Sequence, residues 1–141
     1  MFHLTIVTAE QKLYEGEIEM LVAPAVDGEI GILTNHHPLV TKLQPGAMRI
    51  TKADKNEEIL FVSGGYLEVN NNKATILADI AENIEAIELE KAKAARLHAQ
   101  ALLKSAKADI DRDKLEEELR IAMMRERLAD IAKYKKQKGN L

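Results

Sequence analysis

The sequence predicts an antiparallel β unit followed by two α-helices, and three observations lead to that fold class. Six of the seven glycines and all three prolines lie before residue 66, so strong helix breakers are nearly confined to the first part of the chain. Apolar and polar residues alternate there, which is typical of half-buried strands. After residue 83, apolar residues recur every three or four positions, which is typical of amphipathic helices.

The β unit is predicted to be a sandwich or barrel. Segments 2–7 and 17–22 alternate with period two, and turn signals follow at intervals of about 8–12 residues. Asp27-Gly28 is expected to supply the two positive φ angles of a tight hairpin turn. Because each sheet buries only one face, we expect two sheets packed on each other.

A glycine pair marks a second special position in the β unit. Gly64-Gly65 separates the apolar runs 59–62 and 66–69. Glycine inside a strand pattern usually marks a bulge or a place where another backbone comes close. We therefore expect one of these two features at this position.

The helical part is predicted to form a hairpin with a small-residue seam. The stripe on the first helix is mostly alanine: Leu89, Ala92, Ala95, Ala99, Leu102 and Ala106. The second helix has one apolar track formed by Leu115, Leu119, Ala122 and Ala129. Another track, more than 90° away, is formed by Ile121, Met124, Leu128 and Ile131. The extra track indicates another contact, either with a sheet or in a second conformation.

The charge of the chain divides at the same place. Residues 1–83 carry 6 lysines and arginines against 12 aspartates and glutamates, a net charge of −6. Residues 84–141 carry 14 against 11, a net charge of +3. The basic run 133–138 is either a solvated helix end or a docking patch for an acidic partner.

Composition excludes several chemistries. The chain has no cysteine and no tryptophan, which excludes disulfides, thiolate metal sites and tryptophan cages. His36-His37 is the only histidine pair, and adjacent strand side chains point to opposite faces, so a metal site there is disfavoured. No glycine-rich loop precedes a helix, and we expect neither a signal peptide nor a membrane span. The residues alone indicate a non-catalytic module that binds partners.

Three blocks of the sequence resemble the epsilon subunit of the bacterial F-type ATP synthase, the equivalent of the mitochondrial delta subunit. The first is glycine-rich, with a histidine and a Pro-Leu pair after it: Gly28-Glu29-Ile30-Gly31-Ile32-Leu33, His36 and Pro38-Leu39. The second matches the family signature Ser-Gly-Gly-x-Leu-Glu-Val: Ser63-Gly64-Gly65-Tyr66-Leu67-Glu68-Val69. The third resembles the strand that closes the β domain: Thr75-Ile76-Leu77-Ala78-Asp79. The pattern departs at Thr34-Asn35, where Pro-Gly is common, and at His37.

The resemblance covers essentially the whole chain and implies its architecture and role. It implies a ten-stranded antiparallel β-sandwich over 1–83 and a mobile antiparallel helical hairpin over 84–141. It places the chain in the rotor of a proton-translocating ATP synthase, as a non-catalytic subunit that couples c-ring rotation to ATP synthesis. The sandwich is then expected to bind the gamma subunit and the c-ring through Gly28, Glu29, Ile30, Gly31 and His36.

The family resemblance also implies that the hairpin restrains ATP hydrolysis when it extends into the catalytic head. Cations near the end of the second helix are expected to dock on the beta subunits: Arg120, Arg125, Arg127, Lys133, Lys135 and Lys136. An alanine-rich seam gives up little buried area on opening, so the composition permits such a switch.

Some members of the family bind one ATP through an Ile/Leu-Asp-x-x-Arg-Ala motif at the start of the first helix. Here the motif is degenerate, with Ile87, Glu88, Lys91 and Ala92 at its defining positions. Lysine keeps the charge of arginine but loses its planar fork. We therefore predict weak or absent ATP binding, and no cofactor is expected.

The resemblance implies a peripheral location on the cytoplasmic side of the bacterial plasma membrane, held there by the rest of the complex. A nucleic-acid partner is not expected, since the net charge is only −3. The alternative is a free-standing adaptor, in which a sandwich and a helical clamp serve another complex.

Overall fold

The computed structural model describes the backbone of residues 1–106 and 109–139 and the side chains of 1–106 and 112–135. Contacts divide the chain into two units, Met1–Asn83 and Ile84–Leu141. The first unit contains ten strands: β1 Phe2–Val7, β2 Lys12–Ile18, β3 Met20–Ala25, β4 Gly28–Ile32, β5 Leu39–Lys42, β6 Gly46–Thr51, β7 Glu57–Ser63, β8 Tyr66–Asn70, β9 Lys73–Leu77 and β10 Ile80–Asn83.

The strands form two five-stranded sheets. The first sheet has the order β2-β1-β9-β8-β5, and the second has the order β10-β7-β6-β3-β4. Neighbouring strands are antiparallel except β1 and β9, which run parallel from the pair His3 and Lys73 to the pair Val7 and Leu77. The predicted sandwich is confirmed, with one parallel pair that local hairpin signals do not predict.

The core lies between the two sheets and follows the predicted alternation. In β1 the buried residues are Phe2, Leu4 and Ile6, and the residues between them are half-buried. The same core cluster takes side chains from the second sheet, among them Met48 and Ile50. Each such large side chain contributes about 1.5–3 kcal/mol by leaving water.

The glycine pair marks a close backbone approach, as predicted. Gly64 and Gly65 have φ angles of 69° and 90°. A Cβ on Gly65 would lie 1.7 Å from the Leu77 carbonyl oxygen, so no other residue fits there without moving the backbone. This contact brings the β7–β8 connection against the end of β9.

The tight turn with two positive φ angles was expected at Asp27-Gly28, and this prediction is wrong. In that pair only Gly28 has a positive φ, 121°, and it already belongs to β4. A two-residue connection with two positive φ angles lies instead between β8 and β9, where Asn71 and Asn72 have φ angles of 50° and 60°. Asparagine tolerates this conformation because its side chain is short and polar.

The second unit contains a one-turn 3-10 helix, Ile84–Ala86, then α1, Leu89–Ser105, and α2, Asp109–Gly139. The helices pack on each other as the predicted hairpin. In α1 the stripe is partly wrong, because Ala95 and Leu102 are exposed whereas Arg96 and Leu103 are half-buried. Arg96 can occupy the seam because Glu126 of α2 pairs with it.

Both predicted tracks of α2 are covered over most of their length. Leu128 and Ala129 are buried at 7% and 3% exposure. Ile121 and Met124 are half-buried, and Ile131 departs from its track at 39% exposure. The wide apolar face of α2 therefore matches the sequence pattern except near the end of the second track.

Candidate interaction surfaces

The glycine-rich block lies on β4, the edge strand of the second sheet. Glu29 is exposed, and its Oε1 accepts a hydrogen bond from Arg49 Nη2 at 3.2 Å. Ile30 packs against the core. Gly31 is exposed, lacks a positive φ, and a Cβ there would meet no atom within 4 Å. The fold therefore does not require glycine at 31, and the bare backbone suits close approach by a partner.

The loop after β4 carries His36. The His36 N–H donates to the Leu33 carbonyl at 3.2 Å, which closes a turn. The imidazole Nδ1 lies 2.7 Å from the His37 carbonyl oxygen, so Nδ1 carries a proton. The Asn35 N–H donates to the side-chain Oδ1 of Asn72 at 2.8 Å. His36 is thus held at the end of the sandwich by a turn that has a long-range anchor.

The family signature on β7 and β8 is mainly structural. Ser63 is buried, and its carbonyl accepts a hydrogen bond from the Asp79 N–H at 3.2 Å. Gly64 and Gly65 make the close approach described above, and Leu67 is fully buried. Glu68 is exposed, as is Tyr66 at the variable position of the signature, and Glu68 pairs across the sheet with Val40 and Thr75.

The outward face of the first sheet carries an exposed apolar patch. Val40, Tyr66 and Leu77 are 70%, 52% and 54% exposed. Tyr66 is the direct cross-strand neighbour of Leu77, which in turn pairs with Val7 of β1. We call Val7, Val40, Tyr66 and Leu77 the apolar patch. Val40 pairs with Glu68 and Tyr66 pairs with Lys42, so charged residues border the apolar ones. Exposed apolar side chains with a polar rim are typical of protein-binding surfaces.

In the helical unit, Arg96 and Glu126 form a two-pronged polar contact across the seam. Arg96 Nε and Nη2 donate to the two carboxylate oxygens of Glu126 at 2.7 Å and 3.3 Å, and Nη1 donates to Gln100 Oε1 at 3.1 Å. Hydrogen bonding from Arg96 lowers the pKa of the Glu126 carboxyl below its ordinary value. Two-pronged pairing of this kind fixes geometry as well as charge.

A cleft of about 630 Å³ opens beside this pair. Two of its lining residues, Arg120 and Arg127, belong to the predicted docking cations. The rest are a mixture of charged, amide and thioether side chains: Lys93, Arg96, Gln100, Met123, Met124, Glu126 and Asp130. Met123 is 51% exposed, so the cleft offers an apolar contact between cations. Such a surface suits an acidic segment with an apolar side chain.

The other predicted docking cations do not all join this cleft. Arg125 is half-buried and already engaged by another group of the protein. Lys133 is exposed and lines a separate pocket beside Ile84 and Ala129. Lys135 is exposed, and the side chain of Lys136 lies outside the described residues. The structure therefore groups Arg120 with Arg127 and sets Arg125 apart.

The degenerate ATP motif is divided between solvent and the interior of the unit. Ile87 and Ala92 are buried at 8% and 1% exposure. The carboxylate of Glu88 pairs with the ammonium of Lys91 at 3.3 Å, and both side chains are largely exposed. The charged groups of Glu88 and Lys91 therefore pair with each other at the surface. The prediction of weak or absent ATP binding remains a prediction.

Neither a metal-binding group nor a membrane-spanning helix is found among the described residues. Within the part of the chain that the structure describes, no group of three or more histidine, aspartate or glutamate side chains is arranged to hold a metal ion. Among the described helices, none is long and apolar enough to cross a membrane.

Sequence reasoning missed the apolar patch and the anchor at Asn72. Leu77 and Val40 lie at the outward positions of their strands, and strand pairing alone shows that they are neighbours of Tyr66 and Glu68. Two-period alternation predicts the outward direction of a side chain but not which strands lie side by side. The order of the strands was the missing information.

An exposed apolar sheet face and a cation-lined cleft on a helical hairpin define a protein-interaction module. Comparison with known proteins identifies its family. Residues 1–84 match the model of the ATP synthase delta/epsilon chain β-sandwich domain. The chain belongs to the ATP synthase delta/epsilon chain family.

The similarity extends beyond the sandwich. An ATP synthase epsilon chain of Polaromonas naphthalenivorans is 42% identical over 136 residues, 96% of this chain and 97% of that protein. One from Delftia acidovorans is 38% identical with the same coverage. A chain of the Euglena gracilis mitochondrial ATP synthase, solved with OSCP, F1 and the c-ring, is 25% identical, with a TM-score of 0.75. That match covers 85% of this chain and 76% of the other.

Proposed function

We propose that this chain is the epsilon subunit of the central stalk of a proton-translocating F-type ATP synthase. In this role it couples rotation of the c-ring to ATP synthesis in the catalytic head and restrains ATP hydrolysis. It contributes no active site of its own. The observation that best supports this proposal is that bacterial ATP synthase epsilon chains match 96% of this chain. Both the sandwich and the hairpin therefore have counterparts in those proteins.

The sandwich is the attachment platform. The exposed side chains of the apolar patch support a docking face for the gamma subunit, and we assign the glycine-rich edge strand with the His36 loop to the c-ring. Gly31 supports this assignment because nothing within the chain requires a glycine there. A flat glycine surface lets two backbones approach closely.

The hairpin is the regulatory arm. Its buried residues include the small side chains Ala92, Ala99, Ala129 and Ala132, so little apolar area is lost when it opens. Arg120 and Arg127 line a cleft that fits an acidic segment of the catalytic head. Regulation by ATP is not part of this mechanism, because the ATP motif is degenerate, with Glu88 and Lys91 in place of aspartate and arginine.

The proposal places the protein at the cytoplasmic face of the bacterial plasma membrane. Attachment runs through the gamma subunit and the c-ring. The alpha and beta subunits become partners when the hairpin extends.

Co-purification tests the proposal. A tagged chain should bring down the gamma subunit and the c-ring from its own host. Leu77→Glu should weaken that capture about tenfold or more, because it places a charge in the apolar patch. Ala53→Glu places the same charge on the exposed β6–β7 turn and should leave capture unchanged.

Two results would contradict the proposal. Recovery of the chain without gamma, bound to an unrelated complex, would support the free-standing adaptor instead. Equal losses in Leu77→Glu and Ala53→Glu would remove the apolar patch as the docking face.

A further inference from the structure

The side chain of Asn72 makes hydrogen bonds that the β8–β9 turn does not require. Asn71 and Asn72 form the two-residue connection of the β8–β9 hairpin, with φ angles of 50° and 60°. That conformation depends on the backbone, and glycine adopts it at least as easily as asparagine. The amide group of Asn72 is therefore available for another task.

This amide joins three segments that are distant in sequence. Its Oδ1 accepts a hydrogen bond from the Asn35 N–H at 2.8 Å. Its Nδ2 donates to the Met1 carbonyl at 2.9 Å. The backbone carbonyl of Asn72 accepts from the His3 N–H at 3.2 Å, next to the parallel pairing of β1 with β9. A donor on one side and an acceptor on the other fix the orientation of the amide.

The loop that receives this bond has few internal anchors. Leu33 is 59% exposed, and Thr34 and Asn35 are also exposed, so apolar burial does not order this part of the chain. Asn35 has a φ of 63°, a conformation that costs energy in residues other than glycine. The turn bond from His36 to Leu33 is local. The bond to Asn72 connects this turn to the sheet.

We propose that Asn72 is a positioning residue that pre-forms the His36 loop for its rotor partner. The inference rests on the proposed function, which assigns that loop to the c-ring. Asn72 fixes Asn35, and Asn35 leads directly into His36. The loop then meets its partner already ordered, and binding does not have to order it.

Two substitutions separate the side chain from the turn. Asn72→Gly removes the amide and keeps the left-handed backbone. Asn71→Gly is the matched control, since it makes the same change at the neighbouring turn position, where the side chain is exposed. Asn72→Asp keeps an oxygen that accepts from Asn35 but turns an acceptor instead of a donor toward the Met1 carbonyl, so it should hold the loop only in part.

The first measurement is amide hydrogen exchange of Asn35 in the full-length chain. Asn72→Gly should accelerate exchange of that amide about 2- to 13-fold, the range for one lost hydrogen bond. Asn71→Gly should leave it near the rate of the unsubstituted chain, and Asn72→Asp should give a rate between that value and the rate of Asn72→Gly. An unchanged rate in Asn72→Gly would show that the side chain does not hold the loop and would overturn the inference.

The second measurement is affinity for a purified gamma–c-ring subcomplex. Asn72→Gly should weaken binding by the same factor, and it should have no added effect in a His36→Ala background, because both changes act through one loop. Full affinity in Asn72→Gly would overturn the positioning role even if exchange is faster. Failure of the unsubstituted chain to bind would instead count against the proposed function, and with it the partner named here.

Discussion

The sandwich and the helical hairpin bury different kinds of side chain. Among the described side chains, the twelve largest fully buried ones all belong to the sandwich. Four of the buried residues in the hairpin unit are alanines, and its buried leucine, Leu128, keeps 7% exposure. A buried alanine contributes about one methyl group, whereas a buried leucine or phenylalanine contributes about 1.5–3 kcal/mol.

This difference indicates a division of labour within one short chain. A sandwich with large, fully buried side chains is a rigid platform, because in a close-packed core no side chain can move without displacing its neighbours. A seam of small residues that includes the Arg96–Glu126 pair buries little apolar area, which suits the opening and closing that the proposed function requires. In the proposed function, the tightly packed unit is the one that binds partners, and the weakly packed unit is the one that moves.

The largest expected effect is at the glycine contact of the sandwich. Gly65→Ala should destabilise the sandwich by about 4 kcal/mol, because the new Cβ would overlap the Leu77 carbonyl oxygen and the φ of 90° is unfavourable for alanine. Urea unfolding of the full-length chain, followed by circular dichroism, measures this change.

The matched control is Gly31→Ala, where a Cβ meets no atom within 4 Å. Its stability should stay within about 0.5 kcal/mol of the unsubstituted chain. If the two variants were equally stable, the sandwich would not be the tightly packed platform described here.

Hydrogen exchange should separate the two units directly. Amides of β1 and β9, which pair in the first sheet, should be protected about 100-fold or more above amides in the middle of α1, because local opening of the hairpin exposes little apolar area. Residue-resolved exchange by nuclear magnetic resonance measures both sets in one sample. Equal protection in strands and helices would mean that the chain opens as one unit.

Charge reversal in the cleft tests whether the helical hairpin inhibits ATP hydrolysis through this surface. Arg120→Glu with Arg127→Glu should weaken inhibition of ATP hydrolysis about 2- to 30-fold in the assembled complex, the range for two exposed ion pairs. Raised salt should act in the same direction.

The control pair, Arg112→Glu with Lys114→Glu, makes the same charge change near the start of α2, outside the residues that line the cleft. These two substitutions should leave inhibition in place. If both pairs relieve it equally, net charge rather than the cleft is responsible.

The smallest expected effect concerns the Arg96–Glu126 pair. Because Arg96 lowers the pKa of Glu126 in the folded hairpin, the pair stabilises the hairpin above the ordinary glutamate pKa of about 4.3. That stabilisation is lost as the pH falls through the lowered pKa. Thermal melts followed at 222 nm between pH 3 and 6 should show this component.

Glu126→Gln should remove the pH-dependent component, and the exchange Arg96→Glu with Glu126→Arg should restore part of it. A Glu126→Gln chain with the same pH dependence as the unsubstituted chain would assign the titration to other carboxylates.

Much of the fold could be predicted from the sequence because its signals are local. Alternation in 2–7, the glycine pair at 64 and 65, and helical spacing after residue 83 each depend on neighbours in sequence. The parallel pairing of β1 with β9 joins residues about 70 positions apart, and no local pattern predicts it. The apolar patch was missed for the same reason.

The seam of the hairpin could not be fully predicted from the sequence, for a different reason. The predicted stripe does not include Arg96, and a charged residue rarely faces a partner helix. Its inward position depends on Glu126, which lies 30 residues away in sequence. Similarly, Asn72 could be recognised from sequence as a turn residue but not as the anchor of a loop 37 residues earlier.

In the proposed function, the sandwich binds the rotor while the hairpin restrains hydrolysis. The most direct test compares the ATPase activity of the complex containing residues 1–83 with that of the complex containing the full chain. We expect the shortened chain to assemble with gamma and the c-ring and the complex to hydrolyse ATP faster. An assembled complex with unchanged activity would contradict the inhibitory role that we propose for the hairpin.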